Sequence, residues 1–123
     1  MAKGKPNSRL KYTDLFALIS KLGVEKNVNL DVLKTIITTH KTYGSEYLIN
    51  GVTKLVYEAE KYKFQLNRWP FYLRKIVLIN YWASAYKHFK DLNYYKAIEE
   101  FSNNHDNGIK TYAKATLERL TEN

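Results

Sequence analysis

The stretch PFYLRKIVLINYWASAYKHFK, residues 70–90, decides the fold of this chain. Pro70 suits the first position of a helix, because the N–H that proline lacks has no helical partner there. Apolar residues then recur at three- and four-residue steps, which is the helical period. They form two stripes: Tyr72, Ile76, Ile79, Ala83 and Tyr86, and Phe71, Leu78, Trp82, Ala85 and Phe89. A helix that is apolar on most sides is normally central, so we predict a central helix over about 70–90 with Trp82 in the core.

Two helices are predicted at the N-terminal end. Thr13 can cap a helix that ends at Leu22. Asn29 can cap a second helix, LDVLKTIITTHKTY, which ends at Gly44. The Thr and Ile clusters of this second segment are also typical of strands, but its boundary residues predict a helix.

A third helix is predicted to begin at Ser45. Its apolar residues again follow the helical period: Leu48, Val52, Leu55, Ala59, Tyr62 and Leu66. Gly51 lies inside this helix, where it costs about 1 kcal/mol relative to Ala. We therefore predict that a neighbouring helix lies close to Gly51.

Two shorter helices are predicted after the central one. They cover about 94–102 and 109–121, and the turn-rich sequence NNHDNG at 103–108 separates them. The chain contains no internal repeat and no low-complexity tract. We therefore predict an all-α fold, a helical bundle of about four to six helices. It forms a single helical domain over 13–123, preceded by a flexible basic N-terminal arm at 1–12, here called the basic arm.

The composition fits a globular protein and excludes several kinds of site. Hydrophobic residues make up 45% and charged residues 26% of the 123 positions, as in soluble domains. The absence of Cys excludes disulfide scaffolds, thiol catalysis and Cys-based zinc sites. The most apolar run, 76–86, is eleven residues long, whereas a membrane span needs about 20. No N-terminal apolar segment resembles a signal peptide, so we expect a soluble, intracellular protein.

Residues that could support catalysis are few and scattered. His40, His88 and His105 lie on three different predicted elements, without a metal-ligand spacing such as HExxH. Glu58 and Glu60 are two residues apart on a predicted helix, so their side chains point in different directions. The sequence has no phosphate-binding loop, dinucleotide-binding motif or nucleophile elbow. We expect that the protein is not an enzyme and has no metal, cofactor or small-molecule substrate.

Positive charge is concentrated in two parts of the chain, whose formal net charge is +8. Residues 1–11 hold four bases and no acid, and residues 54–96 hold nine bases against three acids. Residues 12–53 are balanced, and residues 97–123 carry a small acidic excess. A clustered basic footprint indicates a polyanionic partner, nucleic acid first and an anionic membrane second. The alternative is a surface whose charge serves only solubility.

Nine cations are the candidate nucleic-acid-binding residues. Four lie in the basic arm: Lys3, Lys5, Arg9 and Lys11. Five lie in KYKFQLNRWPFYLRK, residues 61–75, interleaved with aromatic residues: Lys61, Lys63, Arg68, Arg74 and Lys75. Here Tyr62, Phe64 and Trp69 would anchor the nucleic-acid backbone or stack on bases. Alternatively, these aromatic residues belong to the core and the bases face solvent.

No predicted helix groups Arg, Asn and Gln at its N-terminus in the way a base-reading helix does. Any nucleic-acid binding should therefore follow the phosphate backbone and be largely independent of base sequence.

Two short patches resemble a known family. The start MAKGK at 1–5, followed by Ser8 and Arg9, is similar to the N-termini of major coat proteins of filamentous archaeal viruses, the rudivirus and lipothrixvirus group. The string YWASAY at 81–86, late in an apolar helix, also resembles that family. The resemblance implies a helical coat protein that dimerises and wraps linear double-stranded DNA held in an A-like form. It places the basic arm and the N-terminal helices against the DNA.

The resemblance also implies partners and a location. The partners are the phosphate backbone of double-stranded DNA and other subunits, in a homo-oligomer or in a hetero-dimer with a related coat protein. The chain would lie in the virion and, during assembly, in the host cytoplasm; an enveloped virion would add contact with a membrane. Two other classes stay open: a cellular, sequence-neutral nucleic-acid-binding helical protein, and a helical interaction or inhibitor module.

Overall fold

The computed structural model describes Leu15, residues 28–62 and residues 69–122. All regular structure in these residues is helical. The elements are α1 Leu30–Tyr43, α2 Ser45–Tyr57, the one-turn α3 Ala59–Tyr62, α4 Phe71–Phe89, α5 Leu92–Phe101 and α6 Asn107–Thr121. The predicted all-α helical bundle is thus confirmed. The basic arm and, apart from Leu15, the helix predicted from Thr13 to Leu22 lie outside the described residues.

Helix α1 begins and ends where its boundary residues predict. The Asn29 side chain accepts a hydrogen bond of 2.9 Å from the Val32 N–H, which is the N-cap interaction. Gly44 ends the helix with a φ of 93°, a conformation that favours glycine, and its N–H donates to the His40 carbonyl. The strand tendency of the Thr-rich segment does not prevail, because Val32 and Ile36 bury an apolar face against the bundle.

Helix α2 is shorter than the sequence predicts. The apolar stripe predicted one helix from Ser45 as far as Leu66, but α2 ends at Tyr57. Glu58, with φ −108° and ψ 28°, separates it from the single turn α3. Leu66 lies outside the described residues. The interruption comes from a side chain on α4 that takes over two carbonyl groups of α2, as described below.

Gly51 lies against a close neighbour, as predicted. A Cβ atom added at Gly51 would lie 2.5 Å from Cδ1 of Leu15, a distance that real Cβ contacts do not reach. Leu15 is itself fully buried and helical. The glycine therefore allows this leucine to pack directly onto the backbone of α2.

Helix α4 is the centre of the bundle, as the sequence predicts. It contacts α1, α2, α5 and α6, and it buries residues on most of its sides from Arg74 to Ala85. Trp82 is 1% exposed and stacks on Tyr94 of α5 with ring centroids 5.8 Å apart. The predicted core position of Trp82 is confirmed. The helix begins at Phe71, with Pro70 as the residue before it, and ends where Lys90 adopts a left-handed conformation.

Helices α5 and α6 each begin two residues earlier than predicted. Asp91 accepts a hydrogen bond from the Asn93 N–H and starts α5 at Leu92. Asp106 accepts from the Ile109 N–H and starts α6 at Asn107. Both aspartates act as N-caps, a signal that the prediction from apolar spacing did not use.

Side-chain hydrogen bonds connect helices that are distant in sequence. Three of them join polar atoms across the bundle: His40 to Tyr94 at 2.7 Å, Asn93 to Ser45 at 2.8 Å, and Tyr112 to Asn80 at 2.5 Å. Asn80, the polar residue inside the apolar run of α4, is buried and accepts this bond from the Tyr112 hydroxyl. A buried amide needs such a partner, so this bond explains how α4 tolerates Asn80 at its centre.

Candidate nucleic-acid interface

The nine predicted phosphate contacts divide into two groups. Six of them lie outside the described residues: Lys3, Lys5, Arg9, Lys11, Lys63 and Arg68. The other three, Lys61, Arg74 and Lys75, lie on α3 and α4. The structure gives these three side chains different surroundings.

Lys61 is a surface cation. Its side chain is 70% exposed, and Nζ lies 3.3 Å from Oε1 of Glu58, one turn earlier. An exposed pair of this kind is weak and easily exchanged for another anion. Lys75, on the first part of α4, is partly exposed. Both side chains can reach solvent, and their contact with phosphate stays a prediction.

Arg74 is not a surface cation, and its predicted phosphate contact is corrected. The residue is 1% exposed. Its Nη2 donates to Oε2 of Glu60 at 2.7 Å, and its Nε donates to the Trp69 carbonyl at 3.1 Å. The guanidinium carbon also lies 4.5 Å from the centre of the Phe71 ring, a cation–π contact. These partners keep the guanidinium inside the protein.

The guanidinium of Arg74 also explains the end of α2. Its Nη1 donates to the carbonyl of Val56 at 3.0 Å and to that of Tyr57 at 3.5 Å. In a continuous helix these carbonyls would accept the N–H groups four residues later. The Lys61 N–H instead bonds to the carbonyl of Glu58 at 2.9 Å. We call this set of contacts, Arg74 with Val56, Tyr57, Glu60 and Trp69, the Arg74 clamp.

Glu60 supplies the only carboxylate described in the Arg74 clamp. The hydrogen bond from Arg74 lowers the pKa of Glu60, with a smaller contribution from a backbone hydrogen bond. Glu60 is itself exposed, whereas Arg74 is buried. The Arg74 clamp therefore joins a carboxylate at the surface to a guanidinium in the core. Its composition could not be read from the sequence, because Arg74 lies 14 residues from Glu60 and 18 from Val56.

The described aromatic residues of the segment 61–75 are divided between core and surface. Trp69 is partly buried and packs against the core, which favours the core interpretation for that residue. The side chains of Tyr62 and Phe64 lie outside the described part. Phe71 and Tyr72, at the start of α4, are 52% and 55% exposed. The segment therefore presents two aromatic rings to solvent that the sequence had assigned to the apolar stripes of the central helix.

A basic groove was missed by the sequence prediction. A cavity of about 370 Å³ lies between the start of α1, the second half of α4 and the end of α6. Its polar wall contains Ser84, Lys87 and His88 from α4 and Arg119 from α6. We call this cavity the basic groove. Its cations occupy the last turns of two helices, positions that the sequence marks only as ordinary helix ends.

The basic groove has no acidic wall among the described residues, since no Asp or Glu lines it. Neither Lys87 nor Arg119 forms an ion pair within 4.0 Å with a described carboxylate. The Arg119 side chain makes one long hydrogen bond, from Nη2 to the Thr116 hydroxyl at 3.4 Å. Within the described part of the chain, the groove is therefore a concave surface with positive charge and few hydrogen bonds to its cations.

A second groove, between α2 and α5, has a different character. Lys54 and Lys96 line it together with Glu46, Glu58 and Glu100. Because acids and bases are mixed there, no net attraction for an anion is expected.

His40 lies in an aromatic cluster with Phe89 and Tyr94. Its ring stacks on Phe89 with centroids 3.6 Å apart, and Nδ1 is hydrogen-bonded to the Tyr94 hydroxyl. Burial lowers the pKa of His40, and burial with the nearby Asp91 charge raises that of Tyr94. Both shifts favour the neutral side chains, as expected for a packed internal contact. Among the described residues, no three His, Cys, Asp or Glu side chains are grouped closely enough to hold a metal ion.

Comparisons with known protein families, with curated proteins and with solved structures found no match to this chain. Within residues 28–62 and 69–122, no helix is long and apolar enough to cross a membrane.

Proposed function

We propose that this protein is a structural coat protein. It binds the phosphate backbone of linear double-stranded DNA without sequence specificity and packs beside copies of itself, or beside a related coat protein, to build a helical filamentous virion. Its role is structural and requires no catalytic site. The resemblance of residues 1–9 and 81–86 to coat proteins of filamentous archaeal viruses supports the viral setting.

The observation that carries this proposal is the division of charge along the chain. Residues 28–62 and 69–122, which contain the described helices, hold twelve Lys or Arg and ten Asp or Glu. The remaining residues hold eight Lys or Arg and only two Asp or Glu. Most of the net charge of +8 therefore belongs to the first 27 residues and to 63–68, and the described residues 28–62 and 69–122 are together nearly neutral.

This division suits a protein that must bind a polyanion and also pack against itself. Subunits that each carried +8 on their contacting faces would repel one another. When phosphates neutralise the cations of residues 1–27 and 63–68, the nearly neutral surfaces of the described helices can approach one another closely. Exposed apolar side chains on the described helices, including Phe71, Tyr72 and Leu92, can then pack between subunits.

The absence of sequence preference follows from the kind of cations present. Lys dominates the basic arm and also occurs at 61, 63 and 75. Lysine contacts phosphate as a point charge, whereas base readout uses grouped Arg, Asn and Gln side chains in a groove. Binding through phosphates releases counterions and depends strongly on salt.

The test is a titration of two unrelated linear duplexes of equal length, followed by electrophoresis at partial saturation and by electron microscopy. A coat protein treats both duplexes alike, leaves a mixture of fully covered and bare DNA, and forms regular filaments. Evenly spread intermediate bands would contradict cooperative coating, and a strong preference for one duplex would contradict the proposal as a whole. Small discrete complexes would support the cellular binding protein instead, and absence of any interaction would support the interaction module.

A further inference from the structure

The basic groove contains two cations that have no ionic partner among the described residues. Lys87 and Arg119 line the same cavity from α4 and α6, and neither pairs with a described carboxylate. Arg74, in contrast, has carbonyl, carboxylate and aromatic partners around its guanidinium. Like charges gathered in one concave site without a counter-ion repel one another. Their arrangement is explained if an anion binds between them.

We propose that the basic groove is a binding site for a phosphate ester. The phosphate lies between Lys87 and Arg119, with the Ser84 hydroxyl and the His88 ring at the same wall. Arg presents a planar fork of donors that matches two phosphate oxygens, and Lys adds a compact charge. For a DNA backbone this inference rests on the proposed function, because the groove then holds one phosphate of the coated duplex.

The electrostatics of the groove favour an anion despite the helix ends that form it. Lys87 and His88 lie in the last turn of α4, and Arg119 lies in the last turn of α6. Each helix C-terminus carries roughly half a negative charge, so two ends contribute about one negative charge in total. Lys87 and Arg119 supply two full positive charges, and the groove remains positive.

The size and the apolar side of the groove indicate an ester rather than a bare ion. The volume of about 370 Å³ falls within the range of small-molecule sites, about 300–1,000 Å³. Val28, Leu33 and Leu120 form its apolar side. This side suits the sugar of a nucleotide, and the cations suit its phosphate. A backbone phosphodiester and a free mononucleotide share this chemistry.

The test compares a groove variant with a charge-matched control in the full chain. The groove variant is Lys87→Gln with Arg119→Gln. The control is Lys41→Gln with Lys114→Gln, which removes the same charge from exposed positions on α1 and α6 that do not line the groove. Three probes are titrated separately: a short linear duplex, a 5′-mononucleotide and inorganic phosphate. Thermal melts verify that both variants fold.

For the duplex, we expect the groove variant to bind roughly tenfold more weakly than the control at low salt. Its slope of log K against log salt should also be shallower by up to about 0.9, since the contact with one phosphate is lost. Equal affinity and equal slope in the two variants would show that the groove does not hold a phosphate of the DNA backbone. The coat proposal would still stand if both variants covered DNA.

The small probes distinguish the two sources of phosphate. If the control binds the mononucleotide and the groove variant does not, the site is supported. If the wild-type chain also fails to bind duplex, the coat proposal fails while the phosphate site stands. NMR titration of the wild-type chain needs no variant and covers the case of a groove variant that does not fold. Shifts confined to the groove residues support the site, and shifts elsewhere or no shifts with any probe overturn it.

Discussion

Two arginines on the described bundle show how position decides the use of a charge. Arg74 is buried, and its guanidinium satisfies the carbonyls of Val56 and Trp69 together with the Glu60 carboxylate. Arg119 lines the basic groove, and its one side-chain hydrogen bond to a described residue is long, to Thr116. A charge surrounded by fitted partners serves the fold, whereas a charge facing a cavity without a counter-ion remains available to a ligand.

The difference also shows why counting basic residues misjudges a binding surface. The segment 61–75 looked uniformly basic in the sequence, but one of its five cations has become an internal structural group. Lys87 and Arg119, which lie outside that segment, line one cavity. Substitutions in the core and at the clamp, and removal of the basic arm, test this contrast between charges used by the fold and charges available to a ligand.

The largest effect is expected from Trp82→Ala, because α4 carries both the clamp and the groove. Trp82 is fully buried and stacks on Tyr94, so its loss should reduce the free energy of unfolding by roughly 3–5 kcal/mol. Chemical denaturation with far-UV circular dichroism measures this. A variant that keeps its unfolding free energy and loses only DNA binding would place Trp82 at an interface and contradict the core assignment.

A smaller loss is expected from Arg74→Met, which keeps much of the side-chain volume. The carbonyls of Val56 and Trp69 lose their donor, and each unsatisfied buried group costs about 1–3 kcal/mol. We expect a total of about 2–4 kcal/mol in the free energy of unfolding. Chemical denaturation measures this loss. The affinity of the variant for duplex DNA is measured separately, without denaturant, where the variant is folded.

In those conditions Arg74→Met should bind duplex like the wild-type chain, and Lys75→Gln serves as the neighbouring control. A duplex-binding defect in Arg74→Met that exceeds the defect in Lys75→Gln would restore Arg74 as a phosphate contact.

Removal of residues 1–11 tests whether the basic arm contributes to DNA binding and not to the stability of the fold. It deletes Lys3, Lys5, Arg9 and Lys11, so the slope of log K against log salt should become shallower by up to about 4, at about 0.9 for each phosphate contact. The shortened chain should still melt cooperatively, because residues 1–11 contribute no apolar stripe. An unchanged salt dependence would show that these four cations do not touch DNA.

The smallest effect is expected from the pH dependence of the Arg74 clamp. The pKa of Glu60 is lowered from its ordinary value of 4.5, mainly by the hydrogen bond from Arg74. The stability that this carboxylate contributes is therefore present above pH 4.5 and is lost as the pH falls through the lower folded-state pKa. Glu60→Gln should remove this part of the acid dependence, and Glu99→Gln, on exposed α5 surface, should leave it in place. Denaturation midpoints between about pH 3 and 6 measure both, and identical acid profiles for Glu60→Gln and the wild-type chain would contradict the clamp.

The class of fold and several helix boundaries could be predicted from local patterns of residues. Asn29, Gly44 and the Trp69-Pro70 pair marked helix ends, and apolar spacing identified α4 as the central helix with Trp82 in the core. These signals are local, because a cap or a proline acts within a few residues and a stripe repeats within two turns.

The positions at which the charges of the described helices act depend instead on how those helices pack together. The Arg74 clamp joins residues 14 and 18 positions apart, and it ends α2 at a place where the apolar stripe alone predicts a continuous helix. The basic groove brings Arg119 beside Lys87, across the packing of α6 on α4. The physical reason is that partners of a long charged side chain are set by which helices pack together, and packing depends on contacts that no local pattern contains.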